Sequence, residues 1–208
     1  MTDKPIIFSA PMVRALLEGR KTQTRRLAKV TWSDGANREF TGWHPERAGM
    51  NRWQLVGGMG VGATIAVPYA PGDRLYVREA FCPRLGYPAA IAKPHYRADD
   101  DKPEWRWMWK PSIHMPRWAS RLTLTVTEVR VQRLQDISAG DSIAEGVECD
   151  TCTAMGQSAC HGRGCFASID AYRHLWNSLH GPDAWDANPW CVAISFTVQY
   201  GNIDQVKS

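Results

Sequence analysis

The chain has 208 residues, 44% of them hydrophobic, a net charge of +4 and an isoelectric point near 8.8. That composition suits one domain with insertions and excludes global disorder. No apolar run approaches the roughly 20 residues of a membrane span, and Met1-Thr2-Asp3-Lys4-Pro5 lacks the basic-then-apolar secretory pattern, so a cytoplasmic protein without a membrane partner is expected.

Pro5-Ile6-Ile7-Phe8 reads as a short strand. Ser9 and Pro11 then open a helix, and Met12, Val13, Leu16 and Leu17 recur at helical spacing. Gly19 is the expected stop. Residues 31–64 show no steady period and are read as an excursion from the core. Pro71-Gly72-Asp73 is a turn, and Arg74 to Phe81 alternates as a half-buried strand. Residues 82–104 read as a loop broken by prolines, and Trp105-Arg106-Trp107-Met108-Trp109 as a strand or edge.

Arg121 to Leu134 carries the longest strand signal. Its inward parity changes near Thr127-Glu128, which predicts a bulge or bend there, or else two strands. Ser138 to Asp141 caps a short helix ending at Glu145-Gly146. Residues 147–166 form a cysteine-rich loop. Ser168 to Leu179 is a helix with Ile169, Tyr172, Leu175, Trp176 and Leu179 on one face, and Val192 to Val198 is a final strand. Strands dominate without regular βαβ alternation. The expected class is therefore α+β, a small curved sheet or partial barrel flanked by helices.

The chemistry concentrates in Gly19-Arg20-Lys21-Thr22-Gln23-Thr24-Arg25-Arg26. A basic, hydroxyl-bearing turn after a helix stop is either a solvated charged face or a surface for phosphate and bases. Lys21 and Thr24, three positions apart, pair a possible base with a possible nucleophile. Of the ten tryptophans, Trp32, Trp43, Trp53, Trp105, Trp107 and Trp109 lie in loop-like or edge stretches and either cover a small sheet or stack bases.

The helix followed by Gly19 to Arg26, the Gly72-Asp73 turn and Ala144-Glu145-Gly146 resemble an ASCH domain, a β-barrel family related to the RNA-binding PUA fold. Ile7 to Met12, Pro111 to Ala119 and Trp185-Asp186-Ala187-Asn188-Pro189-Trp190 resemble a phage and prophage branch of it. The resemblance implies a single PUA-like domain over residues 1–208 with insertions at about 31–64, 82–118 and 147–166. It also implies a place in the bacterial host cytoplasm and a modified nucleoside or RNA as partner.

One branch of that family removes the acyl group of N4-acetylcytidine. By motif, the resemblance places its lysine on Lys21, its threonine on Thr24 and its glutamate on Glu145. Arg20, Arg25, Arg26, Arg78 and Glu79 are the expected substrate-binding residues. Glu79 is either a rival carboxylate for the same pocket or an ion-pair partner of an arginine of the basic turn. An amidohydrolase needs a nucleophile, a base and oxyanion donors. A lysine becomes a usable base when burial or neighbouring cations lower its pKa from about 10.4. A non-enzymatic RNA-binding module and an RNA-cleaving nuclease use the same basic turn and are the alternatives.

Four of the six cysteines fall within seventeen residues, as Cys149-x2-Cys152-x7-Cys160-x4-Cys165. In a cytosolic protein this clustering points to a structural zinc held by four thiolates. Three cysteines with His161, or free thiols, are the alternatives. No organic cofactor is expected.

Overall fold

A computed structural model describes residues 2–36, 38, 40–58, 60–83, 94–99, 108–147 and 166–206. The fold is mixed α+β and mostly strands. Its described strands form three open sheets. The larger has five strands in the order β1-β7-β10-β11-β2. Their ranges are β1 Asp3–Ile7, β2 Gln23–Leu27, β7 Arg74–Arg78, β10 Leu122–Arg133 and β11 Trp190–Tyr200. A four-stranded sheet has the order β3-β6-β5-β4, from β3 Lys29–Trp32, β4 His44–Gly49, β5 Arg52–Gly57 and β6 Gly60–Ala66. The third pairs β8 Phe81–Cys82 with β9 His95–Tyr96. The helices are α1 Ala10–Leu17, α2 Ala139–Ala144 and α3 Phe166–His180. Among the described residues no helix is long and apolar enough to cross a membrane.

The chain divides into two compact units. The first contains Met1–Thr22, Gly72–Val126 and Phe196–Ser208, and the second contains Gln23–Pro71 and Thr127–Ser195.

In the first unit β1 runs parallel to β7, with Ile6 opposite Val77, and β10 pairs antiparallel to β7 through Leu124 and Leu75. Alternation along β7 follows the sequence expectation, with Leu75 and Val77 buried and Arg74, Tyr76 and Arg78 half-buried. Ser9 occupies the N-cap of α1 and Pro11 its first turn, and Val13 and Leu16 are buried. Each such side chain contributes about 1.5–3 kcal/mol on leaving water. The Gly72-Asp73 turn has a defined task. Gly72 adopts φ 87°, and the Asp73 carboxylate accepts from the Thr2 backbone N–H at 3.1 Å and from the Thr2 hydroxyl at 2.8 Å. One carboxylate thereby fixes the start of β1 beside β7.

In the second unit β2 pairs antiparallel to β11, with Thr24 opposite Ile194. Leu134, Ile137, Tyr172, Trp176, Trp185 and Cys191 form one buried cluster, and Ile169 and Leu175 pack against it from α3. The excursion at 31–64 is ordered as the four-stranded sheet. Its glycines make room for an aromatic ring. A Cβ at Gly62 would lie 2.1 Å from the Trp43 ring. Trp43 in turn meets Trp32 and Phe40 edge-on, with centroids 5.9 and 5.4 Å apart. These rings cover a small sheet, the plainer of the two roles expected for the tryptophans.

β10 is one strand rather than two. Val126 is buried, Thr127 and Glu128 are both exposed, and Val131 is buried again. Inward parity therefore switches at the expected position, which is also where the strand passes from one unit to the other. Most of the Trp105 to Trp109 segment and the whole of Cys149 to Cys165 lie outside the described residues.

Candidate functional site

Strand β2 and helix α2 bring the second unit's charged residues together. The Ser138 hydroxyl caps α2 by accepting from the Asp141 N–H at 3.0 Å, and Gly146 at φ 82° follows its end. Asp141 and Glu145 are four residues apart, so both carboxylates project from one side of this short helix. On β2 the side chains of Gln23 and Arg25 share a face, because both reach Asp141.

Arg25 is the hub. Its side chain is fully buried, with Nη2 3.0 Å from Asp141 Oδ2 and Nη1 3.2 Å from Glu145 Oε1. Nη1 also donates to Gln23 Oε1 at 2.6 Å. Gln23 Nε2 donates to Asp141 Oδ1 at 3.0 Å and to the Ser195 hydroxyl at 3.2 Å. Arg130 Nη2 donates to the same Asp141 oxygen at 2.9 Å. The guanidinium carbon of Arg25 lies 5.9 Å from the centre of the Tyr172 ring. Burial, reinforced by the charge of Glu145, pushes the Tyr172 hydroxyl far above its usual range, and burial pushes the Cys191 thiol up to about 12. Neither group ionises near neutrality.

Asp141 is governed by opposed effects. Burial pushes its carboxyl up. Hydrogen bonds from Arg130 and Gln23 and the charge of Arg25 prevail and lower it to about 2. A carboxyl depressed on folding adds stability that is complete above its unfolded pKa and is lost as pH falls through the folded one. The Asp141 contribution therefore fades between pH 3.8 and about 2. Asp141→Asn is expected to flatten the acid limb of a stability-versus-pH curve in that window; an unchanged limb contradicts the assignment.

The first unit holds Lys21, Arg20, Arg78 and Glu79. Gly19 adopts φ 73°, and the Lys21 backbone N–H then returns to the carbonyl of Ala15 at 3.0 Å. The Lys21 side chain is wholly buried, with Nζ 5.6 Å from the centre of the Phe8 ring. Arg20 pairs with Glu18 at 2.5 Å, and Arg78 donates to the carbonyl of Ile113. Glu79 is 1% exposed and is gripped by Arg121 through both oxygens, at 2.8 and 3.0 Å. Burial pushes its carboxyl up against the pull of Arg121. Arg121 also binds Asp99 at 2.7 Å and lies 3.9 Å from the centre of the Tyr96 ring. Glu79 is thus held in an ion pair, but by Arg121 rather than by an arginine of the Gly19 to Arg26 turn.

Of the expected residues, the second unit brings Arg25 and Glu145 into direct contact. Thr24 is 2% exposed and, by strand alternation, points to the face of β2 opposite Gln23 and Arg25. Arg26, next along β2, is half-buried opposite Val192. Cys149, Cys152, Cys160 and Cys165 lie outside the described residues. Among the described residues no cluster of three or more His, Cys, Asp or Glu side chains could hold a metal ion. Sequence reasoning missed Asp141, Gln23, Arg130 and Arg121. Asp141 had a readable signal, its i,i+4 relation to Glu145, but was assigned only to capping.

Comparison with known proteins finds no family model that matches the chain, no matching curated protein and no matching solved structure.

Proposed function

We propose that the chain is an ASCH-type, PUA-like amidohydrolase that removes the acyl group from an N4-acylated cytidine in the host cytoplasm. The observation that carries this reading is the burial of the cations in the basic stretch. Lys21 is 0% and Arg25 4% exposed. A phosphate clamp relies on cations that shed counterions to reach a polyanion. A lysine serving as a base needs to be out of water, where the neutral amine is favoured. The burial therefore favours hydrolysis over RNA clamping.

In the proposed reaction, whose grouping of residues rests on the family resemblance, Lys21 takes the proton of a water, whose oxygen attacks the acyl carbon. The carbon–N4 bond breaks, and Glu145 handles the proton delivered to the leaving cytosine amine. The acyl group leaves as the carboxylic acid, with the oxygen supplied by the water. Arg25, in contact with Glu145 at 3.2 Å, sets the direction of that carboxylate.

The zinc proposal rests on the donor set in the sequence, four thiols at spacings that suit tetrahedral coordination. Cys149, Cys152, Cys160 and Cys165 would hold the ion as a staple of their own loop, away from any reaction step. Metal analysis of purified protein is expected to give about one zinc per chain; less than half an equivalent contradicts the assignment.

The function is tested by incubating purified protein with N4-acetylcytidine and following cytidine and acetate by chromatography. Turnover that changes little with salt is expected for a neutral nucleoside. Glu145→Gln is expected to lose about 10²-fold or more. No cytidine release, together with RNA affinity that falls steeply with salt, would make the chain a binding module instead.

A further inference from the structure

The Trp185 to Trp190 landmark has no part in the reaction above, yet it is held in a specific conformation. Asn188 adopts φ 41°, a left-handed geometry that asparagine tolerates. Its side-chain oxygen accepts from the Gln135 N–H at 2.9 Å, and its carbonyl accepts from Arg133 Nη1 at 3.1 Å. Pro189 accepts from the Leu134 N–H at 2.9 Å, and Trp185 accepts from Gln135 Nε2 at 3.0 Å. These bonds lock the segment to the end of β10. They also fix Arg133 on Trp190, with the guanidinium carbon 4.4 Å from the ring centre.

The Arg133–Trp190 stack forms one side of a cavity of about 690 Å³ inside the second unit, with Trp43 and His44 on its lining. Three features of the cavity ask for an anionic, acceptor-rich ligand. Arg133 is half-buried, and among the described residues no carboxylate forms an ion pair with it; its one side-chain hydrogen bond goes to a carbonyl. A desolvated guanidinium normally has a carboxylate or phosphate beside it. The cost is felt by the group itself, since burial holds it below its usual pKa while the charge of Asp136 only partly compensates. Finally, among the described residues Gln132 Nε2 and Trp190 Nε1 are buried donors without a hydrogen-bond partner, and both residues line the cavity.

The lining carries one acid, Asp136, and it is already engaged: its Oδ2 accepts from the Arg133 backbone N–H at 3.1 Å. Donors therefore exceed acceptors. The volume lies within the roughly 300–1,000 Å³ of small-molecule sites and far exceeds what a bare ion or water fills. Indole and imidazole rings on the lining suit a planar base.

We propose that this cavity binds a nucleotide, with Arg133 as the fork for its phosphate and the aromatic lining for its base. The nucleotide is either free or part of an RNA strand, and both present the same phosphate chemistry. Binding is read without turnover, so failure here and failure of the hydrolase reading are separately visible.

The test uses the full chain, labelled with ¹⁵N, and follows the indole N–H resonance of Trp190. Cytidine 5′-monophosphate, inorganic phosphate and a short single-stranded RNA are added separately at low salt. A saturable shift with the mononucleotide or the RNA is expected. Binding at least about tenfold tighter for RNA identifies the strand as the source, and equal affinity identifies the free nucleotide. Arg133→Glu is expected to weaken binding by about tenfold or more, and Arg133→Lys, which keeps charge but not the fork, by less. Gln132→Leu leaves the stack intact and is expected to weaken binding severalfold, which keeps the test decisive if the Arg133 variants fail to fold. No saturable shift with any phosphate compound overturns the proposal. So does a response to inorganic phosphate alone, or a nucleotide response that folded Arg133→Glu and Gln132→Leu proteins retain.

Discussion

Arg25→Met is expected to destabilise the protein by about 3–5 kcal/mol, read as a lowered urea midpoint at unchanged slope. The guanidinium is fully buried and touches both Asp141 and Glu145. Taking it away removes a buried cation shared by both carboxylates, although Arg130 still reaches Asp141. The loss of Gln23's bond to Arg25 Nη1 adds to this, because its carbonyl oxygen then lacks that donor. The network itself is a different matter. Buried ion pairs seldom outperform well-packed neutral groups, and Arg25 Nε has no partner among the described residues even in the intact site. Combining Arg25→Met with Asp141→Asn and Glu145→Gln is therefore expected to recover much of the loss. A single-variant cost below about 1 kcal/mol, as at an exposed pair, would show that Arg25 is not the hub. Because Glu145 serves the leaving amine, the recovered triple variant is expected to be stable but inactive.

Where a local rule decides the structure, the sequence was readable. The alternation of Leu75 and Val77 against Arg74, Tyr76 and Arg78 predicts β7 because one side of that strand is buried and the other is not. Ser138 followed by Asp141 predicts the α2 cap, and the parity change at Thr127-Glu128 predicts the turnover of burial in β10. The four-stranded sheet was illegible for a physical reason. β4, His44–Gly49, buries almost nothing, and β6, Gly60–Ala66, uses Gly62 to seat the Trp43 ring, so neither has the periodic apolar pattern that marks a strand. Pairing there comes from neighbouring strands rather than from propensity.

The candidate site divides in the same way. Residue types in the Gly19 to Arg26 stretch announce chemistry, but burial of its cations is a tertiary property. Arg25 was expected to meet substrate; its neighbours Asp141 and Glu145 arrive from more than 100 positions away and occupy it. Glu79 and Arg121 show the same limit at a separation of 42 residues. No spacing rule pairs them until the strands are in register.

Lys21 carries the central claim. Its side chain is wholly buried over Phe8, in a stretch where Arg20 and Arg26 keep partial access to solvent. A lysine that only anchored phosphate would gain from exposure; one that removes a proton gains from being dry. General-base catalysis contributes about 10²–10⁴-fold to such reactions, so loss of the amine should remove a factor of that size from the chemical step. Methionine is the suitable replacement, since it fills much of the same volume without a titrating group.

The most direct measurement is cytidine release from N4-acetylcytidine under single-turnover conditions, comparing the native chain with Lys21→Met after both are shown to be folded by circular dichroism. The account predicts acyl cleavage by the native protein and a rate about 10²–10⁴-fold lower in the variant. Cleavage at the same rate in both, or in neither, would contradict it.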